Sequence, residues 1–402
     1  MWEQIRANKR KSVGLIIIVA ALLFGLGYTI AEAFQPGAGP GGILIAGIVW
    51  FVMTLVSYFQ GDTILLGISG ARRIEKQNHP RLYNVVEEMT IASGLPKLPD
   101  VYIIEDTALN AFATGRNPGR ASVAVTSGLL ERLNRDQLQG VIAHEMSHVV
   151  NRDVLFMMLV GVMVGAIVMI SDAFLRGMFR SGRYTHSRSR RGGGGGGNAI
   201  MLILAVVLAI LAPILAQLVY LAASRRREYL ADANAAVLTR YPEGLASALE
   251  VIAGDPTPIA AANRATAPMY IINPLRAHGG EGSSLFSTHP PTSERIRILR
   301  SMAGAASYTE YQRAWQQVGG AQAGHLPASA LAAGSAAAIR AAQPEPEDAV
   351  ARRRLAGDAL RSTQQFAFLS CPCGLRLKVP PDFPGPEIEC PRCHRRLPVA
   401  GA

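Results

Sequence analysis

The stretch Val141–Ile170, VIAHEMSHVVNRDVLFMMLVGVMVGAIVMI, sets two histidines four residues apart and runs directly into a long apolar segment. Residues four apart share one face of a helix, so His144 and His148 can turn both imidazoles toward a single ion. Glu145 then points to a neighbouring angle, where its carboxylate can take a proton from a metal-bound water while staying off the metal. Zinc suits such a set, because it accepts imidazole and carboxylate ligands and keeps one position open. On its own, HEMSH can also be a chance arrangement on a polar helix face.

The apolar continuation is one of four. With 402 residues the chain has room for two or more domains. Hydrophobic residues make up 49% and charged residues only 17%, and the mean hydropathy is positive, which is too apolar for an ordinary soluble enzyme of this size. Ser12–Phe34 and Gly41–Phe59 are each near the roughly 20 residues that span a bilayer core. They read as an N-terminal transmembrane hairpin over residues 1–62, joined by the uncharged QPGAGPG. Arg6, Lys9, Arg10 and Lys11 precede it and Arg72 and Arg73 follow it, so the positive-inside tendency puts both of its ends in the cytoplasm. The first run is too long for the apolar core of a cleaved signal peptide.

Val154–Leu175 and Ala199–Ala223 read as a second membrane hairpin, 154–223, around a basic Gly-rich loop with six arginines and six consecutive glycines. If that hairpin crosses the bilayer, its arginines lie outside against the positive-inside tendency. The competing placements are a hairpin that enters without crossing and one that packs on protein. Such juxtamembrane arginines account for most of the net charge of +11 and are drawn to anionic lipid headgroups. Nucleic acid is a disfavoured partner, because the charges lack interleaved aromatics.

Residues 63–153 are of mixed character. PDVYIIED (Pro99–Asp106) and ASVAVTSGLL (Ala121–Leu130) have the β-branched content of strands. Pro80–Gly94 has helical periodicity, and Asn134 or Asp136 can cap the helix that carries the two histidines. Beyond the fourth run, residues 224–317 read as two helices broken near Tyr241-Pro242, then a loop and a helix entered through Pro290-Pro291. Within SRRREYLAD (Ser224–Asp232), Glu228 and Asp232 are again four apart. Glu228 can supply a third metal ligand while Asp232 hydrogen-bonds the far nitrogen of a ligating histidine. The alternative is a solvated acidic face paired with Arg225, Arg226 and Arg227. His148 lies just before the third run and Glu228 just after the fourth, so a hairpin of those runs brings both ligand segments to one membrane face.

Taken in this order, the features resemble the HtpX-like membrane zinc metallopeptidases, gluzincins related to the CAAX prenyl endopeptidases, over roughly residues 1–300. The resemblance implies a zincin-type helical metallopeptidase domain with a small β-sheet, His144, His148 and Glu228 as zinc ligands, and Glu145 as general base. NAFATG (Asn110–Gly115) is similar to the family's active-site edge strand, which implies that Asn110, Ala111 and Phe112 meet a peptide substrate backbone to backbone. STHPPTSERI (Ser287–Ile296) resembles a late histidine-arginine element, which implies that His289 and Arg295 stabilise the tetrahedral oxyanion. The family setting implies turnover of misfolded membrane proteins at the cytoplasmic face of the cell membrane.

From about Val318 to residue 365 the chain is rich in Ala, Gly and Pro and reads as a flexible linker with at most one weak helix. Residues 366–402 follow, with Cys371, Cys373, Cys390 and Cys393 in two close pairs. Four thiolates so spaced suit a structural zinc, and so small a unit needs such a staple, so the tail looks like a basic zinc ribbon in a reducing cytoplasm. Two disulfides in an oxidising compartment are the alternative.

The expected protein is therefore a mainly α membrane protein, a multi-pass zinc endopeptidase with one catalytic and one structural zinc, acting on proteins or peptides beside the lipid bilayer. Its rivals are a catalytically silent membrane adaptor that binds a partner through the ribbon, and a prenyl-protein processing endopeptidase.

Overall fold

The structure, a computed structural model, describes residues 2–181, 196–259, 270–272, 290–302, 304–319, 326, 328–333, 336–345 and 348–399. His289 and most of the basic Gly-rich loop lie outside the described residues.

The chain opens with α1 (Trp2–Phe34) and α2 (Gly39–Ile68), closed into a hairpin by Glu32, whose carboxylate accepts the N–H groups of Gly37 and Gly39 at 2.8 Å each. Ile16–Phe34 and Gly39–Ile68 are the two described segments long and apolar enough to cross a membrane. A four-stranded sheet follows. It contains β1 (Arg72–Arg73), then after α3 (Pro80–Ser93) β2 (Asp100–Ile104), β3 (Ala111–Thr114) and β4 (Ser122–Thr126), in the spatial order β1-β2-β4-β3. β2 and β4 are parallel, β4 and β3 antiparallel, so β3 is an edge of the sheet.

After α4 (Ser127–Arg132), the metal-binding motif lies on α5 (Arg135–Val150). Asn134 caps this helix in a reciprocal pair with Gln137, at 2.9 Å in each direction. Leu138, Val141, Ile142, Met146 and Val149 of α5 are buried in one core with Val101, Ile103, Val123 and Val125 of the sheet. A two-residue corner, with Arg152 in the left-handed region at φ 59°, then turns the chain into α6 (Asp153–Ser181). α7 (Gly196–Thr239) is a single helix of 44 residues, on the order of 66 Å long at 1.5 Å per residue, and it carries the fourth apolar run and Glu228 on one rod. Val19, Leu23 and Leu26 of α1, Ile167 and Phe174 of α6, and Ala205, Ala209 and Ala212 of α7 form a second core. The four apolar runs thus make one helical bundle, whose outward residues such as Leu44, Ile45, Phe51 and Ile203 are exposed.

α8 (Pro242–Ala253) starts after the break at Tyr241 and crosses α5 very closely. A Cβ on Gly140 would sit 2.6 Å from the backbone nitrogen of Leu245, so only glycine allows this approach. α9 (Thr292–Arg300), α10 (Tyr308–Gly319) and α11 (Ala328–Ala333) follow.

The tail differs from the loose linker expected over 318–365. Arg340 donates through Nη2 to Asp136 at 2.6 Å and to Gln139 at 2.7 Å, and its Nε reaches the Thr239 carbonyl at 3.0 Å. The backbone N–H of Gln343 adds a bond to Asp136 at 2.8 Å. Residues 336–345 therefore tie the start of α5 to the end of α7. Asp348 then caps α12 (Ala349–Thr363), which buries Ala356 and Ala359 and packs on α4. Two small hairpins end the described chain, β5 (Ala367–Ser370) with β6 (Arg376–Val379) and β7 (Glu387–Glu389) with β8 (Arg396–Pro398). The buried carboxylate of Asp358 on α12 lies 2.5 Å from Lys378 Nζ and 3.7 Å from Arg376, which fastens the hairpin unit to that helix.

Candidate active site

Two helices from different parts of the chain build the centre. α5 presents His144 and His148 with their Nε2 atoms 3.3 Å apart, and α7 brings Glu228 to within 3.5 Å of His144 Nε2 and 3.6 Å of His148 Nε2. The three ligand atoms lie within 4.8 Å of one another. A tetrahedral ion with bonds of 2.0–2.1 Å to nitrogen sets its ligand nitrogens about 3.3 Å apart, so the donor set has the dimensions of a zinc site.

Each imidazole is held from behind by a carboxylate. Asp232 Oδ1 lies 2.9 Å from His144 Nδ1, and Asp153 Oδ2 lies 3.3 Å from His148 Nδ1. These contacts turn the Nε2 atoms toward each other and toward Glu228. Burial opposes a charge on His144, but Asp232 and Glu228 outweigh it and raise its pKa to about 9. Burial pushes Glu145 up to about 7, against the pull of His144 and His148. Glu145 Oε2 accepts the backbone N–H of Ala113 on β3 at 2.9 Å, which fixes the carboxylate between the histidine helix and the sheet edge.

Arg295 is placed differently from the oxyanion role expected for it. It is wholly buried, donates through Nε and Nη2 to Asp232 at 2.7 Å each, and through Nη1 to the Ile271 carbonyl at 3.2 Å. Its guanidinium also lies 3.8 Å from Glu228 through Nη1, and it lowers the pKa of Asp232 against the opposing effect of burial. Asn110 also departs from the expected substrate contact. Its side chain accepts the N–H of Ala111 and donates to the Ile272 carbonyl, both at 3.0 Å. Ala111 gives its outward carbonyl to the N–H of Ile271 at 3.1 Å, and Phe112 is buried edge-on against Tyr270 at 5.4 Å. The start of the β3 edge is thus paired with residues 270–272, and all four residues of the strand are buried.

The comparisons with known proteins fit this centre. The model of peptidase family M48 matches residues 76–303, more than half of the chain. The chain belongs to peptidase family M48. Relatives named "Protease HtpX homolog" include one from Dictyoglomus thermophilum, 48% identical over 301 residues, which cover 75% of this chain and 94% of the relative. The homologue from Caldanaerobacter subterraneus subsp. tengcongensis is 41% identical over 302 residues, 75% of this chain and 98% of that one. That of Streptococcus pneumoniae is 40% identical over 302 residues, 75% and 100% respectively. The crystal structure of S. mikatae Ste24p aligns with a TM-score of 0.39 and 20% identity over 74% of this chain and 66% of that one. As a member of M48 the protein is a metalloprotease, and His144, Glu145, His148, Glu228, Asp232 and Arg295 all fall inside the matched residues.

Outside the M48 match, the four cysteines of the tail converge. Cys371 and Cys393 Sγ are 3.4 Å apart, Cys373 and Cys390 Sγ 3.6 Å, and all four lie within 4.8 Å, close to the spacing about a tetrahedral ion with 2.3 Å bonds to sulfur. Burial would raise the Cys390 thiol, but the backbone N–H groups of Arg392 and Cys393 and the neighbouring thiols hold it down at about 6, which favours a thiolate.

Two contributors were not anticipated from sequence. Asp153 lies in the first turn of α6, and the corner at Arg152 swings it back under His148. Tyr308 donates to Asn234 at 2.8 Å and Asn234 donates to Ser147 of the histidine helix, a chain of bonds that locks α5 to α7 beneath the site.

Proposed function

We propose that this protein is a membrane-anchored zinc endopeptidase that cleaves misfolded membrane proteins at the cytoplasmic face, with Glu145 as its general base. The observation that carries the reading is the convergence of His144, His148 and Glu228 on one point, with the Glu145 carboxylate held beside it by Ala113. Zinc bound to those three residues supplies a Lewis acid that polarises the scissile carbonyl and acidifies water.

The chain's own groups do the rest. Asp232 and Asp153 keep both imidazoles turned inward, so that His144, His148 and Glu228 would hold the ion. Glu145, raised toward neutrality by its burial, accepts a proton from water and delivers it to the departing amine. An extended peptide would meet the β3 edge at the carbonyl of Ala113, whose N–H is held by Glu145. Arg295 keeps Asp232 ionised and in place. His289 remains a proposed oxyanion contact on the strength of the family resemblance. The four tail cysteines bind a second, structural zinc. The cytoplasmic orientation is supported by Arg6, Lys9, Arg10 and Lys11 in the first turns of α1 and by Arg72 and Arg73 after α2.

The test is metal removal and return with full-length protein in detergent. Chelation is expected to abolish cleavage of an unfolded membrane protein, and one equivalent of zinc at the histidine site to restore it. Cleavage that survives complete removal of metal contradicts the reading.

A further inference from the structure

The turn between β3 and β4, residues 115–120, lies against α2 at Tyr58 and Phe59, about two and a half turns before that helix ends at Ile68. Arg116 sets its guanidinium 5.6 Å from the ring centre of Tyr58 and 5.7 Å from that of Phe59, and the two rings meet edge to face at 5.0 Å. Both rings are exposed, by 39% and 56%. From Gly39 to Phe59 α2 carries no charge, and Gln60 and Asp62 follow at once. Tyr58 stands about 28 Å along the helix from Gly39 at 1.5 Å per residue, close to the roughly 30 Å thickness of a bilayer's hydrocarbon core. Aromatic rings at that depth lie at headgroup level, and an arginine stacked on them lies there too.

The turn is stiff. Gly115 has φ +124°, and a Cβ there would come within 2.1 Å of the Arg120 carbonyl oxygen. Asn117 Oδ1 accepts the N–H of Gly119 at 3.0 Å, and Arg120 is exposed. Arg116 is three residues beyond Ala113, the strand residue that holds Glu145. At about 3.3 Å per extended residue, that spacing puts the catalytic carboxylate's anchor within roughly 10 Å of the headgroup layer.

We infer that this turn binds the phosphate groups of anionic membrane lipids through Arg116 and Arg120, seating the β3 edge on the bilayer so that cleavage falls within the first few residues outside a substrate's membrane span. The lipid surface is favoured over an acidic peptide because Arg116 is anchored on exposed rings at the end of the uncharged stretch of α2, which continues an apolar surface. The cleavage position rests on the peptidase reading above, whereas the lipid contact stands without it.

The experiment uses full-length protein in bilayer nanodiscs of phosphatidylcholine, with or without one quarter phosphatidylglycerol. One scissile sequence is presented three ways: as a soluble peptide, three residues from a single-span anchor, and twenty residues from it. The near-anchored substrate is expected to be cleaved fastest in phosphatidylglycerol discs. Arg120→Gln alone, and with Arg116→Gln, is expected to lower its kcat/KM on the order of tenfold while soluble-peptide cleavage changes less than twofold. Equal loss on the soluble peptide makes the turn a mere support of the strand and overturns the inference, as does indifference to anchor distance or lipid charge. A loss on the anchored substrate that is the same with and without phosphatidylglycerol assigns the turn to the substrate instead and overturns the inference. Benzoylphenylalanine replacing Asn117 separates the two layers: it is expected to photocrosslink to phosphatidylglycerol in every case, so crosslinking without Glu145-dependent cleavage sinks the peptidase reading alone, and absence of a lipid adduct sinks the inference alone.

Discussion

Arg295 and Asp232 face each other as a buried fork, with both nitrogen-to-oxygen separations at 2.7 Å and neither side chain reaching solvent. Asp232 passes this constraint to His144 at 2.9 Å, so a residue on α9 sets the orientation of a ligand on α5. Arg295→Met leaves a buried carboxylate without its cation, at a cost of about 3–5 kcal/mol. Arg295→Lys keeps the charge but not the planar fork, and is expected to fall between. Denaturant unfolding in detergent checks the order, and Asp232→Leu combined with Arg295→Met is expected to recover part of the loss.

Asp153 does for His148 what Asp232 does for His144. Asp153→Ala is expected to weaken zinc binding by about 10–100-fold with the fold retained, and Asp153→Asn by less. Competition against a chromophoric chelator measures this directly, and an affinity unchanged within twofold removes Asp153 from the site.

The α5–α8 crossing depends on Gly140. A methyl there meets the nitrogen and Cα of Leu245 at 2.6 and 2.8 Å, backbone atoms that cannot turn aside. Gly140→Ala is therefore expected to cost about 1–3 kcal/mol, read as a lower midpoint of thermal unfolding.

His79 gives the fold a pH dependence away from the metal centre. It caps α3 by accepting the N–H of Leu82 at 3.1 Å, and burial first, then the charge of Arg81, lower its pKa from 6.5 to about 4. The folded chain holds this histidine neutral where the unfolded chain protonates it. Stability is therefore lost as pH falls from about 6.5 to about 4, by roughly 3 kcal/mol in total, and is constant above that window. His79→Asn keeps a capping oxygen and cannot titrate, so its unfolding midpoint is expected to fall less over the same range.

Local signals made the metal site readable before any coordinates. The i, i+4 spacing of His144 and His148, the same spacing of Glu228 and Asp232, and the flanking apolar runs each carry a helical period, and α5 and α7 keep it. Asn134 and Pro242 marked helix ends by their own backbone chemistry. What escaped is set by partners distant in sequence. Arg340 reads as one more exposed arginine in an alanine-rich stretch, and only Asp136, some 200 residues earlier, turns that stretch into a brace. α12 buries alanines, whose small side chains give little periodic contrast. Arg295 reads as an oxyanion contact until Asp232 is set beside it, and Asn110 reads as a substrate contact until Ile272 closes over its amide.

The central claim is that Glu145 activates water beside a metal held by His144, His148 and Glu228. Its most direct test compares the native chain with Glu145→Gln on an unfolded membrane protein, with zinc content measured in both. Cleavage lost in the variant while zinc stays bound at the same stoichiometry is the predicted result. Equal cleavage by the two proteins contradicts the account.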